Sequence, residues 1–394
     1  MSLFSYEIKK VFSKRLIWVV LGFFLLLDIT KIVMLYNDTI VKDTLSDGRQ
    51  AVINEIKGPI TNEKISFVIG KKRELDALVE NRTYKTEYDS STYTGYQFGD
   101  SVVFDKIYDD LDYAYHYTES LNKVKTKAEE NLTIYPKGSY EAARSQKILD
   151  TYGERKIESY YDTTGYEAYF SYDFSVLLIL LFLLISITPV FSEEPEIGMN
   201  LLILSSPNGK RSTTKAKLSS VAAITFGVTI LFLLLDFFLF FFLFNLEGGS
   251  NPLYSLKSFA YTPLNVSILQ YVFLSSFLKL IGSLFFSLLY ALFSSAFKSV
   301  LTSMVGAVGM LLLLVFCNDF VSIDLFKYLS PVSLLTNRIL FQSYTSLNFF
   351  RIPVDSSVLL LLFTVVLISV MFVMILKFQN NIGISKRENQ RTKI

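Results

Sequence analysis

The sequence predicts an all-α polytopic membrane protein: six transmembrane helices with a large, mainly helical extracellular domain between the first and second. Three observations carry that expectation. Of the 394 residues, 51% are hydrophobic, and the mean hydropathy is positive, more apolar than an ordinary soluble enzyme. Six apolar runs reach or approach the roughly 20 residues that cross about 30 Å of hydrocarbon as a helix. Lysine and arginine crowd the short segments on one side of those runs and are sparse on the other, the bias that orients membrane proteins.

Composition also excludes. A net charge of +2 supplies no global field for nucleic acid. One cysteine, Cys317, rules out an internal disulfide and a cysteine metal cluster; one histidine, His116, rules out a histidine triad or a multi-histidine metal site. No Gly-x-x-x-x-Gly-Lys-[Ser/Thr] loop occurs, so the chain is not itself a P-loop ATPase. Asp109, Asp110 and Asp112 fall on a predicted solvated helix. No catalytic, cofactor-binding or metal site is expected.

In chain order, residues 1–15 place Phe4, Ile8, Val11 and Phe12 on one helical face, with Lys9, Lys10, Lys14 and Arg15 on or beside the other. That suits a cytoplasmic interfacial helix, or simply the start of the first span. Span one is 16–36, read as an anchor because no small-residue cleavage site follows it. Trp18 lies at interface depth. Asp28 and Lys31, three apart near its outer end, either pair on one face or mark the boundary. Residues 37–170 hold 24 acidic residues, 18 basic residues and 15 of the 24 tyrosines. Helices are expected over 61–80, 100–132 and 139–152, with a Tyr/Ser/Thr/Gly loop at 84–99. Aliphatic residues are few, so tyrosines must fill part of the core. The region is read as a structural cap over the spans, with a substrate-binding domain as the alternative.

The remaining spans are 171–190, 218–246, 268–293, 300–316 and 354–378. The segments assigned to the cytoplasm, 1–15, 191–217, 294–299 and 377–394, carry 14 Lys/Arg, and the short outer loops 247–267 and 317–353 carry four. Both termini, including the tail 379–394, are therefore expected on the cytoplasmic side. Loop 317–353 is apolar enough, through Leu325, Leu334, Leu335, Leu340 and Phe341, to form interfacial helices in the outer leaflet.

Two sets of residues stand out. In 191–217, Glu193, Glu194 and Glu196 with Pro195 suit a helix's first turn. Ile197, Leu201 and Leu204 recur at helical spacing. Pro207-Asn208-Gly209 turns the chain, and Lys210, Arg211, Lys215 and Lys217 follow. The segment reads as a short amphipathic helix between two spans, or as a connecting loop with a surface helix. Reversal of Glu194 is then expected to act mildly, through a helix-start charge alone. The second set is Asp236 in span three and Lys279 in span four. A buried pair would cost less than either charge alone; it reads as a conduit or gating contact, or as an interfacial pair with Lys279 snorkelling.

Phe191-Ser192-Glu193-Glu194-Pro195-Glu196-Ile197-Gly198 resembles the F-x-E-E-x-E-x-G-T segment that follows span two in ABC-2-type transporter permeases. Pro207, Arg211, Lys217 and the order of basic N-terminus, span, large outer domain and five further spans are similar to that family; Met199 departs from it, standing where a threonine is usual. The resemblance implies a permease subunit of a bacterial ATP-binding-cassette exporter, multi-pass in the cell membrane. It implies ABC ATPase subunits as partners, a second permease subunit (identical or related), and surrounding lipids. ATP and magnesium would bind the ATPase and not this chain, which would be no enzyme. Glu193, Glu194, Glu196, Ile197, Gly198, Leu201 and Leu204 would form the ATPase-coupling element, and the substrate would be a peptide, lipid or drug. Two other readings stay open: a non-transporting subunit that relays force to its outer domain, and a polytopic membrane enzyme or receptor without an ATPase.

Overall fold

The computed structural model describes residues 2–41, 49–80, 96–199, 209–320 and 329–381. The chain is mostly helical, with two small antiparallel strand pairs. Six of its helices are long and apolar enough to cross a membrane, the signature of a multi-pass membrane protein.

A short helix, Leu3–Phe12, opens the chain, with the Ser2 hydroxyl capping it at the Ser5 N–H. Span one, Arg15–Tyr36, follows after a two-residue elbow. Spans three to six are Gly209–Phe244, Ile268–Ala296, Val300–Phe320 and Ser356–Asn381. Span four starts on a capping box: Ser267 accepts from the Gln270 N–H while the Gln270 side chain accepts from the Ser267 N–H, which satisfies two otherwise orphaned donors.

Span two is not one helix. The apolar stretch 164–196 divides into Thr164–Ser171, Phe174–Ile187 and Pro189–Glu196. Tyr172 turns extended at the first break, and Pro189, which lacks an N–H, begins the third piece. Spans two and four occupy the middle of the bundle and the others surround them. Phe182, Leu183, Ile187, Phe286 and Tyr290 are fully covered there. Outward side chains such as Phe242, Phe273 and Leu301 are apolar and exposed, as a lipid-facing surface requires.

The segment between spans one and two contributes helices at Arg49–Ile56, Asn62–Glu80, Tyr96–Ile134 and Tyr140–Tyr152. It is not a free-standing body. One of its apolar clusters includes Tyr254 and Tyr344, from the loops that follow spans three and five. Its β1 strand (Gly58–Pro59) pairs antiparallel with β2 (Ser159–Tyr160).

The loop before span six also differs from the expectation of leaflet-bound helices. Its described part folds back as Val332–Leu335 and Arg338–Phe341, burying Leu334, Leu335, Leu340 and Phe341 against the bundle. Gly282 of span four lets Leu335 close in; a Cβ there would lie 2.8 Å from its Cδ2. Asn337 anchors the fold-back by accepting from the Tyr271 and Ser275 hydroxyls and donating to the Ser275 carbonyl. A hairpin, β3 (Ser346–Phe349) and β4 (Ile352–Asp355), then leads into span six.

Candidate functional site

The third piece of span two, Pro189–Glu196, ends beside the N-terminal helix and the start of span three, and charge collects at that junction. Lys14 donates to Glu193 at 2.7 Å, and Lys10 lies 3.2 Å from Glu194 and 3.7 Å from Glu193. From span three, Lys217 reaches Glu194 at 2.7 Å, donates to the Val190 carbonyl at 2.5 Å and stands over the Phe191 ring. Lys217 and Glu194 are 3% and 9% exposed, so this is an ion pair taken largely out of water and held by additional hydrogen bonds, the condition under which such a pair is sustained. Glu7 of the N-terminal helix is buried against the same group; burial raises its carboxyl above the ordinary 4.5, with Lys217 opposing.

Serine 294, at the end of span four, fastens the backbone. Its hydroxyl accepts from the Phe191 and Ser192 N–H groups at 3.0 and 3.1 Å and donates to the Thr188 carbonyl at 2.5 Å. Two N–H groups at the start of this helix thus find their partner on another span. Glu196 accepts from the Val300 N–H, the first residue of span five, at 2.9 Å. The junction therefore ties together the N-terminal helix and spans two, three, four and five. A cavity of about 230 Å³ opens beside it, lined by Lys10, Val11, Lys14, Ile185, Glu193 and Met304 among others.

This geometry corrects the expected one. The helix that carries Glu193, Glu194 and Glu196 begins at Pro189, so the three occupy its last turns and not a first turn. Carboxylates at a helix C-terminus are disfavoured by the macrodipole; here lysines from neighbouring elements and the Val300 N–H offset that. Pro195 lies inside the last turn, where the helix is about to stop. Ile197 follows as an exposed turn residue, and Gly198 reverses the chain with φ +77°, a conformation that glycine adopts without steric cost. The expectation of a mild effect at Glu194 falls with the helix-start argument, because Glu194 is the partner of a buried cation. Leu201 and Leu204 lie outside the described residues.

The expected Asp236–Lys279 pair is likewise not formed. The Asp236 side chain meets Asp28 of span one. Lys279 is near enough to act electrostatically on Asp236, yet makes an ion pair with no acidic group among the described residues. Asp28 is fully buried and Lys31 exposed, and no ion pair joins them among the described residues; Asp28 instead lies against Tyr172, whose hydroxyl donates to it at 2.5 Å.

Sequence reasoning did not find Glu7, Ser294 or the buried state of Lys217. The sequence placed Lys217 just before span three, read as 218–246; the helix starts at Gly209 instead, so Lys217 lies eight residues into it. Ser294 carries no pattern at all; its role comes from the packing of span four against the Thr188–Ser192 turn. Comparison with protein-family models, curated proteins and solved structures finds no match for this chain.

Proposed function

We propose that the chain is the membrane subunit of an ABC-2-type exporter and that the junction around Glu193 and Glu194 transmits the ATPase's movement to the spans. The observation that carries this reading is the position of the junction. The residues that resemble the family's segment after span two are those joined to the N-terminal helix and to spans three, four and five. A push on Ile197–Met199, which are exposed, would reach all of these through Glu193, Glu194, Lys217 and Ser294. The lysine and arginine bias supports placing this end, with both termini, in the cytoplasm. The helices Arg49–Ile56, Asn62–Glu80, Tyr96–Ile134 and Tyr140–Tyr152 are then extracellular, resting on the loops after spans three and five. Substrate would be a peptide, lipid or drug, and a second permease subunit would complete the pathway.

The test is purification through a tag on this chain together with candidate ATPases. Ile197→Asp, outside the lysine–glutamate contacts, and Leu201→Asp should each lose the ATPase; a charge set into a partner's groove removes several kcal/mol. Wild-type amounts of ATPase with both variants would sink the coupling assignment. For orientation, cysteines placed at 85–99 in a Cys317→Ser background should react with an impermeant thiol reagent in intact cells, and cysteines at 208–212 should not. The reverse pattern would remove the exporter reading with the topology.

A further inference from the structure

Asp28 and Asp236 are the two acidic side chains buried most completely within the spans, at 0% and 3% exposure. They come from spans one and three, which pack against one another, and their carboxyl groups lie beside one another. Two carboxylates can only accept hydrogen bonds. Consistent with that, Asp28 Oδ2 and Asp236 Oδ1 find no donor among the described residues, and the fully buried Ser175 hydroxyl lies beside Asp236. The donor that the contact lacks is a proton.

We propose that Asp28 and Asp236 form a proton-binding site in which the two carboxyl groups hold one proton between them, joining span one to span three. Like charges in contact in an apolar medium do not both ionise, and a carboxylic acid in hydrocarbon with a carboxylate partner satisfies both groups. The proton comes from solvent and returns to it; no other atom changes bonds. Tyr172 steadies the ionised partner by donating to Asp28 Oδ1 at 2.5 Å. The titratable groups that face the site are Tyr172 and Tyr169 from the span-two stretch and Lys279 from span four, with the Ser175 hydroxyl beside them. Lys279 also acts on Asp173, so its charge is divided. A metal cation would ask for a fuller oxygen shell than two carboxyls, a serine and a phenol supply, and no group of His, Cys, Asp and Glu suited to a metal occurs among the described residues. Loss of the proton sets two negative charges against each other and drives spans one and three apart. The inference does not depend on the exporter reading.

Infrared spectra of the full chain in lipid nanodiscs test it directly. Wild type should show the C=O stretch of a desolvated carboxylic acid at neutral pH, vanishing as pH rises. Asp28→Asn and Asp236→Asn should each move that titration to lower pH, because the like charge is gone, and the double variant should lack the band. Asparagine preserves shape and can donate, so these variants keep the contact. Tyr172→Phe, which leaves both acids in place, should move the titration to higher pH. A wild-type spectrum without the band, a band that persists in the double variant, or single variants with an unshifted titration would overturn the proposal. So would a wild-type melting temperature raised by sodium or lithium at alkaline pH and unaffected by them in Asp236→Asn, which would assign the site to a metal cation.

Discussion

At one end of the bundle Lys10, Lys14 and Lys217 grip Glu193 and Glu194. At the other, tyrosine hydroxyls grip backbone carbonyls: Tyr113 on Tyr254, Tyr117 on Ala260, Tyr152 on Tyr261 and Tyr140 on Ser346, at 2.7, 3.1, 2.6 and 2.8 Å. Arg155 fills the middle of this second junction, with its guanidinium over the Tyr152 and Tyr254 rings and Nη1 donating to the Thr262 carbonyl at 2.7 Å. Tyr117 and Tyr254 stack with ring centroids 5.1 Å apart. Ion pairs also occur there, Lys257 with Asp110 and Lys147 with Asp355, but at the rim. The two ends therefore respond to different agents. Charge–charge contacts answer to salt, protons and a charged partner. A phenol on a carbonyl is indifferent to salt, and burial holds Tyr113, Tyr117 and Tyr152 in their neutral form, Tyr117 being pushed up to about 12. One junction can be loosened without the other.

Four substitutions would break or sharpen that contrast. Lys217→Met should do most harm, at least about 3 kcal/mol, because it leaves Glu194 without its buried cation and the Val190 carbonyl without its donor. Thermal unfolding in detergent reads the loss. Adding Glu194→Gln should recover part of it, and a double variant no better than the single would mean that the pair is not the cause. At the other end, Arg155→Lys should cost about 2 kcal/mol by removing the planar stack and one or more of its hydrogen bonds to carbonyls. Its cost should be the same at low and high salt; a marked salt dependence would show that this end, too, is held by charge.

Smaller effects discriminate more finely. Lys14→Met removes a half-exposed ion pair and should cost at most about 1 kcal/mol, vanishing as salt is raised. An effect that persisted in high salt would point to lost packing of the lysine stem. Glu7→Gln separates by pH. Because burial raises the folded-state value above 4.5, the folded chain binds that proton more tightly than the unfolded one. Glu7 then favours folding at acid pH, and this contribution fades as pH climbs from 4.5 through the raised value. The variant should match wild type at acid pH and melt higher above that window. A variant that melts lower at every pH would show that the ionised carboxylate is a needed partner of Lys217.

The six spans were legible because hydrocarbon imposes a length and a composition that a single sequence displays. The tyrosine-filled packing around Tyr113, Tyr117 and Tyr152 was legible too, in kind though not in partner. Tyr113, Tyr117 and Tyr152 announce a core short of aliphatics, but nothing in their spacing says that their hydroxyls will find carbonyls in residues 254–261. At the charged junction the residue types were visible and their geometry was not. Glu193, Glu194 and Glu196 look like a helix start because carboxylates favour that place, and they stand at a helix end because Ser294 and three lysines from elsewhere make that end tolerable. Asp236 was visible as an intramembrane charge. Its partner was misjudged because opposite charge in the adjacent span is the simplest rule, and helix rotation, which decides what meets, is not written in a run of apolar residues.

In the first turn of span one, against the elbow that joins it to the N-terminal helix, stands the only tryptophan of the chain, Trp18. Its indole N–H donates to the Phe12 carbonyl at 2.8 Å, and its ring lies 5.5 Å from that of Phe12. Light absorbed at the red edge, where the 24 tyrosines do not contribute, therefore excites a single site at the joint that Lys10 and Lys14 hold in register with span two. The emission colour of the unmodified protein is a built-in gauge of whether that elbow is closed, readable while nucleotide, salt or a partner is added, with no label attached.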